Sequence, residues 1–113
     1  VWSVQDGVIV CQGNPAGYIR TEKDYENYVL ELEWRWPAGK KPGNSGVLVH
    51  TTTENALGVW PKSLECQLGS GNAGDFWVIG TTLSVFNSKI RSMDRRTVNL
   101  TNGSEKPIGE WNK

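Results

Sequence analysis

The segment LECQLGSGNAGDFW, residues 64–77, contains the pattern that decides the fold. It begins with a short apolar stretch, continues into a glycine-rich turn and ends with two aromatic residues, which predicts a strand, a turn and a second strand. Alternate side chains of a strand point to opposite faces. Leu64 and Cys66 would therefore share one face, and Glu65 and Gln67 the other. That polar pair is either an ordinary solvated face or the floor of a site.

Short strands separated by turn signals recur along the rest of the chain. Two β segments flank Asp6-Gly7, a dipeptide that strongly favours a hairpin. Apolar and polar residues alternate from Tyr28 to Trp36, which predicts a long, half-buried strand. Shorter strands are predicted over residues 17–21, 45–53, 64–69, 76–80, 82–86 and 97–101. No apolar period of 3.6 residues lasts for a helix of about ten residues, so the sequence predicts an all-β chain built as an antiparallel β-sandwich or barrel.

The chain length of 113 residues fits one domain, and a chain of that size can bury one modest core. We therefore expect a single β-sandwich domain over residues 1–113. The sequence stops at GEWNK without an obvious closing strand. We expect the sandwich to be incomplete in this chain and to lack its C-terminal strands, which would belong to a longer sequence.

Composition and charge restrict the partners. Lys plus Arg and Asp plus Glu both number 12, so there is no overall field that would recruit nucleic acid. No apolar run approaches the ~18 residues of a membrane span. The six Trp residues have flat faces suited to a core or to stacking on sugar rings, which favours a carbohydrate partner. Free thiols are favoured for Cys11 and Cys66, although one disulfide stays open.

Metal sites and hydroxyl nucleophiles have little support. His50 is the single histidine, and no spaced Cys/His zinc pattern is present. An oxygen-ligand calcium site near the glycine-rich turn would have Asp75 as its sole carboxylate, whereas calcium prefers several. No serine elbow or complete phosphate loop occurs. We predict no metal and no cofactor, and His50 is either an ordinary strand histidine or a catalytic group.

Carboxylates are the stronger catalytic candidates. Glycoside hydrolysis uses two carboxyl groups at ~5–5.5 Å or ~6.5–9.5 Å, and same-face strand residues two apart lie roughly 6.6–7 Å from each other. Glu31 and Glu33 have this spacing, although they would equally suit the solvated face of an amphipathic strand. Glu65 has no carboxylate two positions away, so its partner would be Glu33 from a neighbouring strand or an activated water.

Several motifs in this order resemble the 3-keto-disaccharide hydrolase domain family. They are Trp2, Asp6-Gly7, Tyr25 to Tyr28, Glu33-Trp34-Arg35, Asn44-Ser45-Gly46, Glu65-Cys66-Gln67 and Gly109-Glu110-Trp111-Asn112. The resemblance covers essentially the whole chain. It implies a sandwich of the concanavalin A-like lectin/glucanase type, a jelly roll whose concave face binds sugars. It also implies a secreted, periplasmic or cell-envelope bacterial protein.

The leading hypothesis is a hydrolase that cleaves the glycosidic bond of a disaccharide or 3-keto-glycoside. A keto group at C3 acidifies the C2 proton, so elimination and hydration would need one base and one group that polarises the carbonyl. The predicted catalytic residues are Glu65, Glu33 and His50. The predicted substrate-binding residues are Gln67, Asn44, Arg35, Trp60 and Trp77. The alternative is a non-catalytic, lectin-like module, because the same sandwich serves both functions.

Overall fold

The computed structural model describes residues 1–83, 96–97 and 105–113. Within these residues the chain forms β-strands and no helix, arranged as a two-stranded hairpin and a four-stranded antiparallel sheet. The predicted all-β antiparallel architecture is thus confirmed, and it is consistent with a partial β-sandwich. The jelly-roll connectivity stays a prediction. No helical segment in the described ranges has the length and hydropathy needed to cross a bilayer.

The strands are short, and their order in the sheet follows their order in the chain. They are β1 (Trp2–Gln5), β2 (Val8–Cys11), β3 (Gly46–Val49), β4 (Ser63–Gln67), β5 (Phe76–Ile79) and β6 (Arg96–Thr97). β1 pairs with β2, and the larger sheet has the order β3-β4-β5-β6. β4 therefore has a hydrogen-bonded neighbour on each side, as β5 does.

The N-terminal hairpin turns where the sequence predicts. Asp6 and Gly7 have positive φ angles of 50° and 77°, which is the left-handed pair that a two-residue type I′ turn requires. The turn sets Gln5 opposite Val8 and, at the open end, Trp2 opposite Cys11. The predicted hairpin is confirmed.

The register of the central sheet decides which side chains meet. Glu65 lies opposite Leu48 of β3 and opposite Trp77 of β5. Two residues on, Gln67 lies opposite Gly46. Because partners in an antiparallel pair point to the same side of the sheet, these five residues share one face, as the alternation in LECQL predicts.

The prediction of a paired strand from Tyr28 to Trp36 is wrong. This segment makes one isolated bridge, between Trp34 and Asn112, whose two backbone N–H···O distances are 3.0 and 2.8 Å. The predicted alternation is nevertheless present in the burial, because Glu31 to Trp36 alternate between exposed and half-buried. The segment is extended, but no described strand lies alongside it to form a ladder.

Three other strand predictions are either unmatched or only partly covered by the described residues. Residues 17–21 form no strand. The predicted strand at 82–86 begins in irregular chain at 82–83, and its remainder lies outside the described residues. Of the predicted strand at 97–101, the structure describes β6 at Arg96–Thr97 and nothing beyond it.

The buried positions of the described chain lie mainly on β4, on β5 and at their ends. They include apolar Ile79 and Pro61, together with polar Ser63, Gln67 and Asp75. Ser63 pairs with Ile79 across the sheet, and the Ser63 hydroxyl donates to the Pro61 carbonyl at 3.1 Å. Polar side chains buried in an interior are normally hydrogen-bonded, and such bonds restrict their orientation.

Both cysteines are free thiols, as the sequence favours. Cys11 is exposed, and its sulfur accepts a hydrogen bond from the Gly13 N–H at 3.3 Å. Cys66 is half-buried on the face of β4 opposite to Glu65. Burial, and secondarily the Glu65 carboxylate, raises the pKa of the Cys66 thiol.

Candidate functional site

An open cavity of about 870 Å³ borders the central sheet. This volume is within the ~300–1,000 Å³ typical of small-molecule sites. β4 contributes Glu65 and Gln67 to its wall, whereas Leu64 and Cys66 do not line it. Glu65 and Gln67 therefore line the same cavity, as expected if this face of β4 is the floor of a site.

Glu65 lies in this wall because β3 leaves room for it. A Cβ atom added to Gly46 would overlap the Glu65 carboxyl group, with the Glu65 Cγ at 2.5 Å. The Glu65 side chain therefore lies across the β3 backbone, diagonally from its direct partner Leu48. Any larger residue at position 46 would push the carboxyl group away, so the glycine of the NSG motif determines where the acid sits.

Burial raises the pKa of Glu65 above its usual value. The carboxyl group is flanked on its own face by Leu48 and Trp77, and apolar neighbours of this kind disfavour the charged form. A carboxylate with a raised pKa is a stronger base once it has lost its proton. A titratable group shifted by desolvation in a cleft is also a recognised mark of a functional site.

Gln67 holds Asn44 at the edge of the same cavity. The Gln67 amide nitrogen donates to Asn44 Oδ1 at 3.0 Å, and the Gln67 amide oxygen accepts from the backbone N–H groups of Leu68 and Gly69 at 2.9 and 3.1 Å. Gln67 is 3 % exposed, whereas Asn44 is exposed and lines the cavity. Asn44 is therefore the member of this pair that a ligand can reach.

His50 also lines the cavity, directly after β3. It is exposed and has a positive φ of 52°, a left-handed conformation that is uncommon for residues other than glycine. Backbone strain of this type is found preferentially at active sites and ligand clamps. The structure thus brings His50, the residue directly after β3, to the same hollow as Glu65.

Two indoles complete the group of predicted residues at the cavity. Trp77 is half-buried on β5 beside Glu65. Trp60 is half-buried in the loop before β4, where its backbone exchanges two hydrogen bonds with Leu57 at 3.0 and 3.1 Å. Both residues line the cavity and present the flat apolar surface that sugar rings favour.

Glu33 and Arg35 are not part of this cavity. Both are exposed on the outer side of the extended segment. The Arg35 guanidinium lies over the Trp111 ring, 4.6 Å from its centroid, which is a cation–π contact. The structure therefore does not bring Glu33 together with Glu65, as a mechanism based on two carboxylates would require.

Four further aromatic residues line the cavity and were not predicted from the sequence. They are Trp2 of the hairpin and three tyrosines of the irregular segment, Tyr18, Tyr25 and Tyr28. Tyr25 is 63 % exposed and Tyr28 is 44 % exposed. The aromatic spacing in DYENY could have indicated Tyr25 and Tyr28, but the alternation of the following residues favoured a strand in which Tyr28 would be half-buried.

Among the described residues no group of three or more His, Cys, Asp and Glu side chains is arranged to hold a metal ion. The polar groups at the wall include the desolvated carboxyl of Glu65, the imidazole of His50 and the amide of Asn44. This combination can move a proton and donate hydrogen bonds, which is sufficient for acid–base chemistry on a neutral ligand.

Comparison with known proteins identifies a family. The family model described as the 3-keto-alpha-glucoside-1,2-lyase-like domain matches residues 1–113. This confirms the family indicated by the sequence motifs. No curated protein and no solved structure matches the chain.

Proposed function

Because the chain belongs to the 3-keto-alpha-glucoside-1,2-lyase-like domain family, we propose that it cleaves the glycosidic bond of a 3-keto-glucoside, such as a 3-keto-disaccharide. Cleavage would proceed by elimination across C1 and C2, followed by addition of water. The observation that carries this proposal is the position of Glu65, a carboxyl group in a cavity wall whose pKa is raised by burial.

The chemistry needs one strong base. The Glu65 carboxylate takes the C2 proton, and the electron pair of the C2–H bond moves toward the C3 carbonyl to give an enolate. The enolate then forms the C1=C2 bond and expels the glycosidic oxygen from C1, and that oxygen takes a proton to become the free alcohol. Water adds to C1 and a proton returns to C2, so the sum of the steps is hydrolysis. This sequence requires no second carboxylate near Glu65, which agrees with the exposed position of Glu33.

The other cavity residues have roles that suit this chemistry. His50 and Asn44 can donate hydrogen bonds to the sugar oxygens, and the indoles of Trp60 and Trp77 offer stacking surfaces beside the acid. The raised pKa of Glu65 brings the base closer to neutral pH, where proton abstraction is most efficient.

Deuterium incorporation tests the proposal directly. The protein is incubated with a 3-keto-α-disaccharide in D₂O, and the released 3-keto-glucose is examined by NMR and mass spectrometry. Elimination followed by hydration should place one solvent deuterium at C2. Release of the sugar without deuterium at C2 would contradict elimination and indicate direct hydrolysis instead. A parallel incubation of 3-keto-glucose without protein corrects for spontaneous exchange.

A carbohydrate-binding module without activity is the second candidate, and the aromatic lining of the cavity supports it. Trp2, Tyr25 and Tyr28 add to the two indoles near the sheet, and aromatic stacking alone can hold a sugar. Calorimetry with the same 3-keto-disaccharide separates the two functions. Binding without product formation, unaffected by Glu65→Gln but lost in Trp77→Ala, would support the binding module against the enzyme.

A further inference from the structure

The buried amide of Gln67 has an orientation that its surroundings determine. Its oxygen accepts hydrogen bonds from two backbone N–H groups, those of Leu68 and Gly69. Backbone N–H groups can only donate, so the end of the side chain facing them must be the oxygen. The nitrogen of Gln67 must then face Asn44, to which it donates at 3.0 Å.

The orientation of the Gln67 amide also determines the orientation of the Asn44 amide. Since Gln67 presents a donor, Asn44 must offer its oxygen in return, and its Nδ2 group is turned away from Gln67. Within the described part of the chain, Asn44 Nδ2 makes no hydrogen bond. Asn44 is exposed and lines the cavity. Two N–H bonds are therefore available to a ligand, and their direction is set by Gln67, which is itself almost fully buried.

Glu65 leans toward the same end of the sheet. Its carboxyl group lies over Gly46 of β3, and Asn44 precedes Gly46 by two residues. Gln67, which holds Asn44, is two residues from Glu65 on the same face of β4. Same-face residues two apart are separated by roughly 6.6–7 Å along a strand. The carboxyl group and the amide donor are thus near enough to act on adjacent atoms of one sugar.

We propose that Asn44 Nδ2 is the group that donates to the C3 carbonyl oxygen of the substrate, and that Gln67 is a positioning residue that acts through Asn44. The inference rests on the proposed function, in which Glu65 removes the proton from the neighbouring C2 atom. The pair of electrons released from the C2–H bond accumulates on the C3 oxygen, and a fixed donor stabilises that charge. Gln67 thereby takes a different role from the direct sugar contact that the sequence suggests.

Gln67→Glu tests this arrangement with nearly unchanged shape. At a pH where the introduced carboxyl is ionised, one of its oxygens still accepts from Leu68 and Gly69, but the other cannot donate, so Asn44 must turn its Nδ2 toward it. Asn44 then presents Oδ1 to the cavity, so that a ligand faces an acceptor instead of a donor. Loss of one fixed donor at a developing oxyanion costs about 10²–10³ in kcat, and we expect losses of this size for Gln67→Glu and for Asn44→Ala.

The double variant distinguishes positioning from other effects. If Gln67 acts through Asn44, adding Gln67→Glu to Asn44→Ala should lower kcat by less than about twofold, because interacting residues are not additive. If the introduced charge acts on Glu65 directly, or the fold is damaged, Gln67→Glu should cost the same in both backgrounds, and the inference fails. Gln5→Glu places a charge on the exposed hairpin and serves as the matched control, with kcat unchanged.

A measurement that needs no turnover checks the orientation itself. In ¹⁵N-labelled protein, the side-chain amide protons of Asn44 should exchange rapidly with solvent in the wild type and more slowly in Gln67→Glu. Equal exchange in the two proteins would overturn the inference. If the wild type does not turn over any 3-keto-glucoside, the proposed function falls, and the carbonyl role of Asn44 falls with it. Turnover combined with additive losses in kcat overturns the role of Gln67 alone.

Discussion

Two segments of this protein carry the same alternating pattern and have different environments. Glu31 and Glu33 alternate with half-buried apolar residues in the extended segment before Pro37, and Glu65 and Gln67 alternate with apolar residues in β4. β4 has β3 on one side and β5 on the other. The extended segment touches another piece of backbone at the bridge from Trp34 to Asn112 and where the Gly109 N–H donates to the Trp36 carbonyl at 2.9 Å.

The neighbouring strands account for the difference between the two segments. Leu48 and Trp77 flank Glu65 and remove water from it, which raises its pKa. Glu31 keeps its water, and its contact with Lys113, at 3.9 Å, is exposed on both sides. Such a pair contributes little to stability. An alternating pattern therefore places an acid on one face of the chain. The pKa of that acid is raised only where strands pair on both sides of it and exclude water.

The largest expected effect comes from removing one acid from each segment. Glu65→Gln should lower kcat for a 3-keto-disaccharide by about 10²–10⁴, the usual contribution of a positioned base. Glu33→Gln, the matched change on the exposed segment, should leave kcat within about twofold of the wild type. Steady-state kinetics of both variants measure the difference. Equal losses would mean that the two segments contribute to one site after all.

Gly46→Ala tests whether β3 determines the position of the acid. The added Cβ would overlap the Glu65 carboxyl group, and a displacement of about 1 Å at a reacting group can cost about 100-fold in rate. We expect kcat to fall by that order and the pH profile to shift as Glu65 enters a different environment. The control is Gly17→Ala, where an added Cβ has no heavy atom within 4 Å and the Tm should barely change. An unchanged pH profile in Gly46→Ala would contradict this account of the site.

Asn112→Ala tests what holds the extended segment. Asn112 is 8 % exposed; its oxygen accepts from the Lys106 N–H at 2.7 Å, and its nitrogen donates to the carbonyls of Trp34 and Glu110, both at 3.4 Å. Leaving such groups without partners costs about 1–3 kcal/mol. Urea unfolding should show a loss in this range.

The neighbouring residue provides the comparison for that measurement. Lys113→Ala removes only the exposed pair with Glu31 and should change the free energy of unfolding by less than about 1 kcal/mol. If both variants lose the same stability, the buried asparagine is not what anchors the extended segment.

The smallest expected effect is the pH dependence of stability at Glu65. Because its pKa in the folded protein is above the usual value of 4.5, ionisation of Glu65 disfavours folding, and its contribution is most favourable below that value and declines as the pH rises through the folded pKa. Glu65→Gln should therefore have a higher Tm than the wild type near pH 8, and this advantage should disappear near pH 4. Thermal unfolding across this range measures it. A Tm advantage that grows toward acid pH would contradict the desolvation of Glu65.

The sequence predicted well those elements whose signals are local. The hairpin at Asp6-Gly7 formed because two adjacent residues accept positive φ angles, and β4 and β5 formed around the glycine-rich turn of residues 69–74. Residues 28–36 were predicted with equal clarity and form no ladder. Alternation reports which side chains prefer water, whereas a strand in a sheet also needs a neighbour with free backbone groups.

Some features of the candidate site were likewise predictable from the sequence, and others were not. The sequence by itself determined that Glu65 and Gln67 share a face, since the period of two is a property of any extended chain, and its motifs identified the family. Only the tertiary structure decided that Glu65 lies over Gly46, that Gln67 turns inward to hold Asn44, and that Glu33 stays outside the cavity. These outcomes depend on sheet register and on contacts between residues distant in the chain. Local pattern does not encode such contacts, because they arise from the packing of one strand against another.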